Sequence, residues 1–290
     1  MIDKFLNKIT IGNSLDILKT IPSECVDMGV TSPPYNKKES NKGWLVNKVI
    51  YENFVDKTDE ITYQQNQTEV LDELYRVIKP GGSFFYNHKI RWDKGVMSHP
   101  MDWLRQTKWL TRQEIIWDRT IAANIRGWRF WQVEERIYWL YKPKDDNNIG
   151  NELNSKHALL TSIWRFAPER DNAHPAPFPI ELPTRAIYSI LDKQKNSVII
   201  DPYMGSGTTA IASKLLGHSY IGIDISTHYK DMFTKRLANI TKDKLKFDEE
   251  INKHIVKKTF KQRKENRLFT GKYQNNKAAV IQNKTQKTFF

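Results

Sequence analysis

The sequence predicts an α/β fold, a mostly parallel twisted sheet with helices on both faces, and three observations predict it. Apolar periodicity switches repeatedly between two-residue and 3.6-residue spacing along the chain. Two apolar runs end in segments that cannot continue a strand, Ser32-Pro33-Pro34-Tyr35 and Asp201-Pro202-Tyr203-Met204-Gly205-Ser206-Gly207. A third such run ends on a carboxylate, Asp224. At 290 residues and 39% apolar content, the chain can build one large domain with a proper core.

Taken in order, Lys8 to Ile11 reads as a short strand, Ser14 to Thr20 as a helix and Val26 to Thr31 as a second strand. Residues 36 to 60 are polar and irregular and read as a long loop. Thr62 to Ile78 is amphipathic, with Val70, Leu71, Leu74, Tyr75 and Ile78 on one face, and stops at Lys79-Pro80-Gly81-Gly82. A strand at Ser83 to Tyr86 and a helix at Met101 to Trp109 follow. Glu114 to Trp117 and Arg136 to Tyr141 read as strands flanking the aromatic loop Gly127-Trp128-Arg129-Phe130-Trp131. From Lys142 to Pro175 the signal is weak. Order resumes with a helix at Glu181 to Leu191, a strand at Ser197 to Asp201 and a helix at Gly207 to Leu216 ended by Gly217. A strand at Tyr220 to Asp224 and a helix at His228 to Asn239 complete the pattern, with no internal repeat.

Composition excludes several classes. No run approaches the roughly 18 apolar residues of a membrane span, and Met1-Ile2-Asp3-Lys4 does not resemble a signal peptide, so a soluble cytoplasmic protein with no membrane partner is expected. Cys25 is the only cysteine, which rules out an intramolecular disulfide or a multi-thiolate metal site and leaves a small residue packed near a strand. The seven histidines show no ligand spacing, so no metal is expected. Residues 241 to 290 hold 14 Lys/Arg against 5 Asp/Glu, so +9 of the net +13 sits in the last 50 residues. Such a tail suits a polyanion, or serves as a solvated surface that keeps the chain soluble. Residues 1 to 240 are therefore taken as one domain and 241 to 290 as a basic C-terminal extension.

Chemistry concentrates at the three strand ends. Glycines at 205 and 207 let a backbone approach a ligand closely, and the tip of a parallel strand is where open α/β sheets bind cofactors. Asp224, at the next strand's end, is placed to bond both hydroxyls of a ribose. The two prolines at 33 and 34 make a rigid turn without N–H donors, which offers carbonyls and the Ser32 hydroxyl as acceptors beside the Tyr35 ring. Acceptors around an aromatic amine draw it toward a tetrahedral, more nucleophilic geometry, while Tyr35 supplies a stacking face for an extruded base. Alone, a Pro-Pro-Tyr is equally an ordinary turn and a GxG an ordinary strand-to-helix junction.

Together these segments resemble the DNA amino-methyltransferases that make N4-methylcytosine or N6-methyladenine, over roughly residues 8 to 239. The resemblance implies a Rossmann-like fold that uses S-adenosylmethionine. Ser32-Pro33-Pro34-Tyr35 matches the family's (D/N/S)PP(Y/F) motif, which holds the target amine, and Tyr203-Met204-Gly205-Ser206-Gly207 matches its FxGxG-type cofactor motif, with Tyr203 for the usual Phe. The catalytic motif comes first, as in the circularly permuted β group. Gly12-Asn13-Ser14-Leu15-Asp16 resembles the motif ahead of the catalytic loop, with Asn13 where Asp is common. Leu74 to Gly82 and Ile115-Ile116-Trp117 match later elements, and His174-Pro175-Ala176-Pro177-Phe178-Pro179 the segment against the cofactor's methionine end. The implied reaction residues are Ser32, Pro33, Pro34 and Tyr35. The implied cofactor residues are Asn13, Thr31, Pro175, Asp201, Tyr203, Gly205, Ser206, Gly207, Thr208 and Asp224.

The chemistry of a sulfonium then requires direct in-line displacement, the amine attacking the activated methyl without a covalent enzyme intermediate; the methylated amine is a strong acid that Ser32 or water can deprotonate, so no tuned histidine is required. Carbon-5 chemistry is set aside, since Cys25 stands in Ser-Glu-Cys-Val and not in a Pro-Cys turn. Ser32 favours cytosine, with adenine the alternative. Double-stranded DNA is the implied partner, with a cognate restriction endonuclease and a homodimer as further expectations from the family. Two variable segments, about 36 to 60 and 120 to 172, are candidates for target recognition. Arg126, Arg129 and Lys142 mix charge with Trp128, Phe130 and Trp131, which suits phosphate contact and stacking, although the same rings also fit a strand-pair core. Arg165, Arg170 and His174 are candidates for reading base edges, and Lys257, Lys258, Lys261, Arg263 and Lys264 for clamping the backbone. Rival readings are a methyltransferase for protein glutamine or RNA, and a DNA-binding specificity module without catalysis.

Overall fold

A computed structural model describes residues 2–36, 57–122, 127–145, 161–169, 177–192, 194–254 and 260–266. After a short 3-10 turn come β1 (Lys8–Ile11), α1 (Ser14–Thr20), β2 (Val26–Thr31), α2 (Glu60–Val77), β3 (Ile78–His88), the small hairpin β4 (Arg91–Asp93) and β5 (Val96–Ser98), and α3 (Met101–Leu104). Next are β6 (Leu110–Asp118), β7 (Glu134–Tyr141), β8 (Ile163–Arg165), α4 (Glu181–Leu191), β9 (Val198–Asp201), α5 (Thr208–Leu216), β10 (Ser219–Asp224) and α6 (Thr227–Ala238). Helices α7 (Thr241–His254) and α8 (Phe260–Glu265) close the described chain.

Eight strands form one sheet in the order β1-β10-β9-β2-β3-β7-β6-β8. The five strands from β1 to β3 run parallel, β7 runs against both β3 and β6, and β8 pairs parallel with β6 at the edge. The two-residue period of a strand divides its side chains between two cores. Phe85, Ile137, Trp139 and Ile199 enter one core with Leu182 and Ile187 of α4, Ile211 of α5, Phe233 of α6 and Phe247 of α7. Phe84, Tyr86, Tyr138 and Ile200 enter the other with Leu18 of α1, Leu71 and Leu74 of α2 and Trp103 of α3. Helices therefore cover both faces, as the alternation of periods predicts.

Several boundaries differ from those the sequence predicts. α2 begins at Glu60 because Asp59 caps it, accepting from Thr62 N at 2.9 Å. β3 absorbs the Pro80-Gly81-Gly82 turn, because Gly81 N bonds Lys142 O and Lys142 N bonds Gly82 O. α3 stops at Leu104; Trp109 is buried by tertiary packing, not by helical phase, and the strand after it starts at Leu110. The β4–β5 hairpin and β8 are too short to leave a periodic signal and are additions to the predicted pattern. Lys142 is no phosphate ligand: its buried ammonium donates to Glu24 Oε1 at 3.0 Å and to the carbonyls of Tyr75 and Ile78. Among the described residues no helix is long and apolar enough to cross a membrane.

Candidate active site

β2 and β9 lie side by side at the centre of the sheet, with Met28 opposite Ile199 and Gly29 opposite Ile200. Because both run the same way, their C-terminal ends emerge together. Thr31 Oγ1 donates to Asp201 Oδ1 at 2.6 Å, which joins two motifs 170 residues apart in the chain. Asp201 also accepts from Thr209 Oγ1 at 2.6 Å and from Tyr203 N at 3.0 Å, so one buried carboxylate fixes β2, the start of the glycine loop and the first turn of α5. Burial pushes its carboxyl up to about 6, against the pull of these donors.

The glycine loop turns with Gly205 at φ 51° and Gly207 at φ 81°, both in the left-handed region. A Cβ at Gly207 would stand 2.0 Å from the Phe233 ring. Asp224 Oδ2 accepts from Gly205 N at 2.7 Å and Oδ1 from Ser226 N at 2.9 Å, so the ribose residue expected from sequence also braces the loop. The Ile225 backbone also donates to Asp224, and the acceptor capacity that the carboxylate retains suits a ribose hydroxyl. Ile225, next in sequence, is an exposed aliphatic side chain at the same strand end. Gly12 N donates to Asp224 O at 2.9 Å and Ser14 Oγ to Pro202 O at 2.5 Å, bringing the end of β1 to the same place. Asn13 caps α1, accepting from Leu15 N at 2.9 Å.

Ser206 and Thr208 are held from behind by a residue that sequence reasoning missed. Arg236 of α6 donates to Thr208 Oγ1 at 2.8 Å, Ser206 Oγ at 3.2 Å and Ser206 O at 3.3 Å, and pairs bidentately with Asp243 of α7. Those two side chains thus brace the loop from α6 and α7.

On the β2 side, the acceptor-rich turn is also braced. Tyr63 of α2 donates to Pro34 O at 2.8 Å, and the Tyr35 ring packs on His88 with centroids 4.6 Å apart. Tyr35 Oη lies 2.6 Å from Ser32 Oγ and donates to Glu135 Oε2 at 2.8 Å. Asn87 Nδ2 donates to Tyr35 Oη at 2.7 Å, Glu135 Oε2 at 2.9 Å and Ser32 Oγ at 3.2 Å. Glu135 is paired with Arg119 at 2.9 Å, both being buried. Burial alone would raise the Glu135 carboxyl, but Arg119, then Lys89, with the Asn87 and Tyr35 bonds, holds it below the usual range. Ser32 remains half-buried and Tyr35 nearly covered. Glu135, Asn87 and Arg119 left no sequence signal beyond polar residues at strand ends.

Of the residues expected to meet DNA, Arg126, Arg170, His174, Lys257 and Lys258 lie outside the described residues, as do the side chains of Arg263 and Lys264; Pro175, expected at the cofactor, also lies outside them. Lys261 is exposed on α8. Trp128, Phe130 and Trp131 are 56%, 98% and 62% exposed, which removes the reading of these rings as core. Arg129 lies over the Trp92 ring of β4 at 4.1 Å, so the aromatic loop and the hairpin share one surface. Arg165 pairs with Asp118 at 3.1 Å.

A family model described as DNA methylase, N6_N4_Mtase, matches residues 26–235, a span that holds both motifs. The chain belongs to that family. It is accordingly a DNA amino-methyltransferase of the N4-cytosine and N6-adenine group. Among curated relatives, it is 28% identical to the type II methyltransferase M.HinfI of Haemophilus influenzae over 82% of this chain and 70% of that one. It is 27% identical to M.BglII of Bacillus subtilis over 78% and 68%. Among solved structures, PvuII DNA methyltransferase (cytosine-N4-specific) superposes with a TM-score of 0.63 at 18% identity, covering 84% of this chain and 92% of that one. TTHA0409 of Thermus thermophilus, a putative DNA modification methylase complexed with S-adenosyl-L-methionine, superposes with a TM-score of 0.58 at 22% identity, covering 80% and 95%. At such identities these superpositions establish the fold, a methyltransferase-type α/β sheet.

Proposed function

We propose that this DNA methylase transfers a methyl group from S-adenosylmethionine to the exocyclic amine of a base extruded from duplex DNA, N4 of cytosine in preference to N6 of adenine, within a type II modification system. The observation that carries the reading is the Thr31–Asp201 bond, which sets the acceptor turn and the glycine loop beside each other at adjoining strand ends. The donor set fits the cofactor: Asp224 retains acceptor capacity for a ribose hydroxyl, Ile225 gives an apolar face for the purine, and Gly205 and Gly207 keep the loop backbone open to approach. When bound, the cofactor supplies a methyl group activated on a sulfonium.

The protein's own part is to position and desolvate. Ser32 Oγ and the Pro33 carbonyl accept from the target amine, and the Pro34 carbonyl is already engaged by Tyr63. A neutral hydroxyl in place of a carboxylate at the first motif position favours cytosine. The exposed Trp128, Phe130 and Trp131 with Arg129, and the basic residues Lys257, Lys258, Lys261, Arg263 and Lys264, supply stacking and phosphate contacts to the duplex. The soluble cytoplasmic setting, the homodimer and a cognate endonuclease follow from the same reading.

Incubation with methyl-labelled S-adenosylmethionine and unmethylated duplex DNA, followed by nucleoside analysis, tests it. Label in N4-methylcytosine is expected. Label in N6-methyladenine replaces the base assignment alone, whereas label only in protein or RNA, or none at all, contradicts the reading.

A further inference from the structure

The buried polar network behind Ser32 is costly to build for stability alone. A buried Arg–Glu pair gains little over apolar residues of the same volume, because desolvation of both charges offsets their attraction. Yet Glu135 sits near the start of β7 with Arg119 fixed on one oxygen and Tyr35 and Asn87 on the other. The donor inventory then fixes the direction of every hydroxyl. An ionised carboxylate only accepts, so the Tyr35 proton points at Glu135 Oε2. The Tyr35 oxygen is left as an acceptor, and the Ser32 hydroxyl 2.6 Å away must donate to it. Asn87 Nδ2, also a donor only, approaches Ser32 Oγ and Tyr35 Oη from the side. With one lone pair of Ser32 Oγ taken by Asn87, Ser32 therefore presents its other lone pair and no proton to whatever enters the site. Asn87 Oδ1 is buried and without a partner among the described residues.

We propose that the Glu135 carboxylate, acting through the hydroxyls of Tyr35 and Ser32, makes Ser32 an obligate acceptor for the target amine and takes up the proton which that amine sheds on methylation. This rests on the amino-methyltransferase reading above. As the nitrogen lone pair bonds the methyl carbon, positive charge passes to the amine. Its N–H proton moves to Ser32 Oγ, the Ser32 proton to Tyr35 Oη, and the Tyr35 proton to Glu135 Oε2. The N–H bonding pair returns to nitrogen, the two hydroxyls end as they began, and the carboxylate becomes a carboxylic acid. Departure of the methylated base lets solvent reach half-buried Ser32, and the same chain run backwards discharges the proton to water. Groups facing Glu135 are Arg119 from the end of β6, Lys89 beyond β3 and Tyr35 from the turn after β2, with Glu134 and Arg136 beside it on β7.

Glu135→Gln preserves size and can still accept from Tyr35, but carries neither the charge nor the ability to take the proton. Tyr35→Phe preserves the ring and cuts the chain at its middle. In single-turnover methyl transfer with the full-length enzyme, each variant is expected to lose about 100-fold or more in rate. Their affinities for S-adenosylmethionine and for duplex DNA should stay within about twofold, and the double variant should be no slower than the worse single one, since both break one relay. A Glu135→Gln enzyme at wild-type rate overturns the proposal, as do rate losses that multiply in the double variant, or a loss that appears in binding and not in turnover. If Glu135→Gln does not fold, Tyr35→Phe decides alone: a wild-type rate there overturns it. A wild-type enzyme that fails to methylate DNA refutes the underlying function, whereas an active wild type with unaffected variants refutes only the relay.

Discussion

Asp201 shows how much a single buried group can organise. It receives bonds from the end of β2, from the glycine loop and from α5, and burial raises its carboxyl from the usual 3.8 to about 6. The folded state therefore binds a proton more tightly than the unfolded chain. That contribution is fully present below the unfolded pKa and is lost as pH rises from about 4 to about 6, a span worth on the order of 3 kcal/mol. Denaturation of wild type and Asp201→Asn across this window should show wild type losing stability relative to the variant as pH rises; parallel curves would show that Asp201 titrates as an exposed carboxylate does. The motif residues were legible in the sequence because their constraints are local: prolines forbid strand, and left-handed turns select glycine at 205 and 207. Glu135, Asn87 and Arg119 were not, because their meaning is a partner far along the chain, as with Tyr35 and Glu135, which are 100 residues apart.

Helices and strands with long periodic faces were visible for the same local reason, and α2, α4, α5 and the central strands lie within a few residues of their predicted places. α7 does not follow from the sequence. Its charge pattern resembles a solvated face, which assigns it to a basic extension beginning at residue 241. In the structure Phe247 joins the core, Glu250 pairs with buried Arg185 of α4 at 2.6 Å, and Asp243 anchors Arg236 behind the glycine loop. The packed unit thus includes α7, and we propose that the basic residues beyond it are the ones that meet DNA. Truncation after Ile240 is then expected to destabilise the protein and weaken S-adenosylmethionine binding, because a buried arginine loses its partner at a cost of about 3 to 5 kcal/mol. Truncation after His254, which keeps α7 and removes Lys257, Lys258, Lys261, Arg263 and Lys264, should leave both intact and flatten the slope of log DNA affinity against log salt, by up to roughly 0.9 for each phosphate that is no longer neutralised. Calorimetry and salt titration of the two truncations check this; equal stability after Ile240, or an unchanged slope after His254, would contradict it.

At the scale of the molecule, function follows from strand order. The chain visits the catalytic strand β2 early and the cofactor strand β9 late, yet the sheet places them as neighbours, with β10 and β3 on either side. The existence of a parallel α/β sheet was readable from periodicity, but neighbour relations were not, because any parallel order satisfies the same alternation. The resemblance supplied the expectation and the Thr31–Asp201 bond fulfils it. The most direct measurement is a structure of the protein with bound S-adenosylmethionine. The cofactor's methyl group should point toward the turn at Ser32, at a distance that lets an amine held by Ser32 Oγ approach to about 3 to 3.5 Å. A cofactor seated away from Asp224 and the glycine loop, or a methyl group directed away from Ser32, would contradict the account.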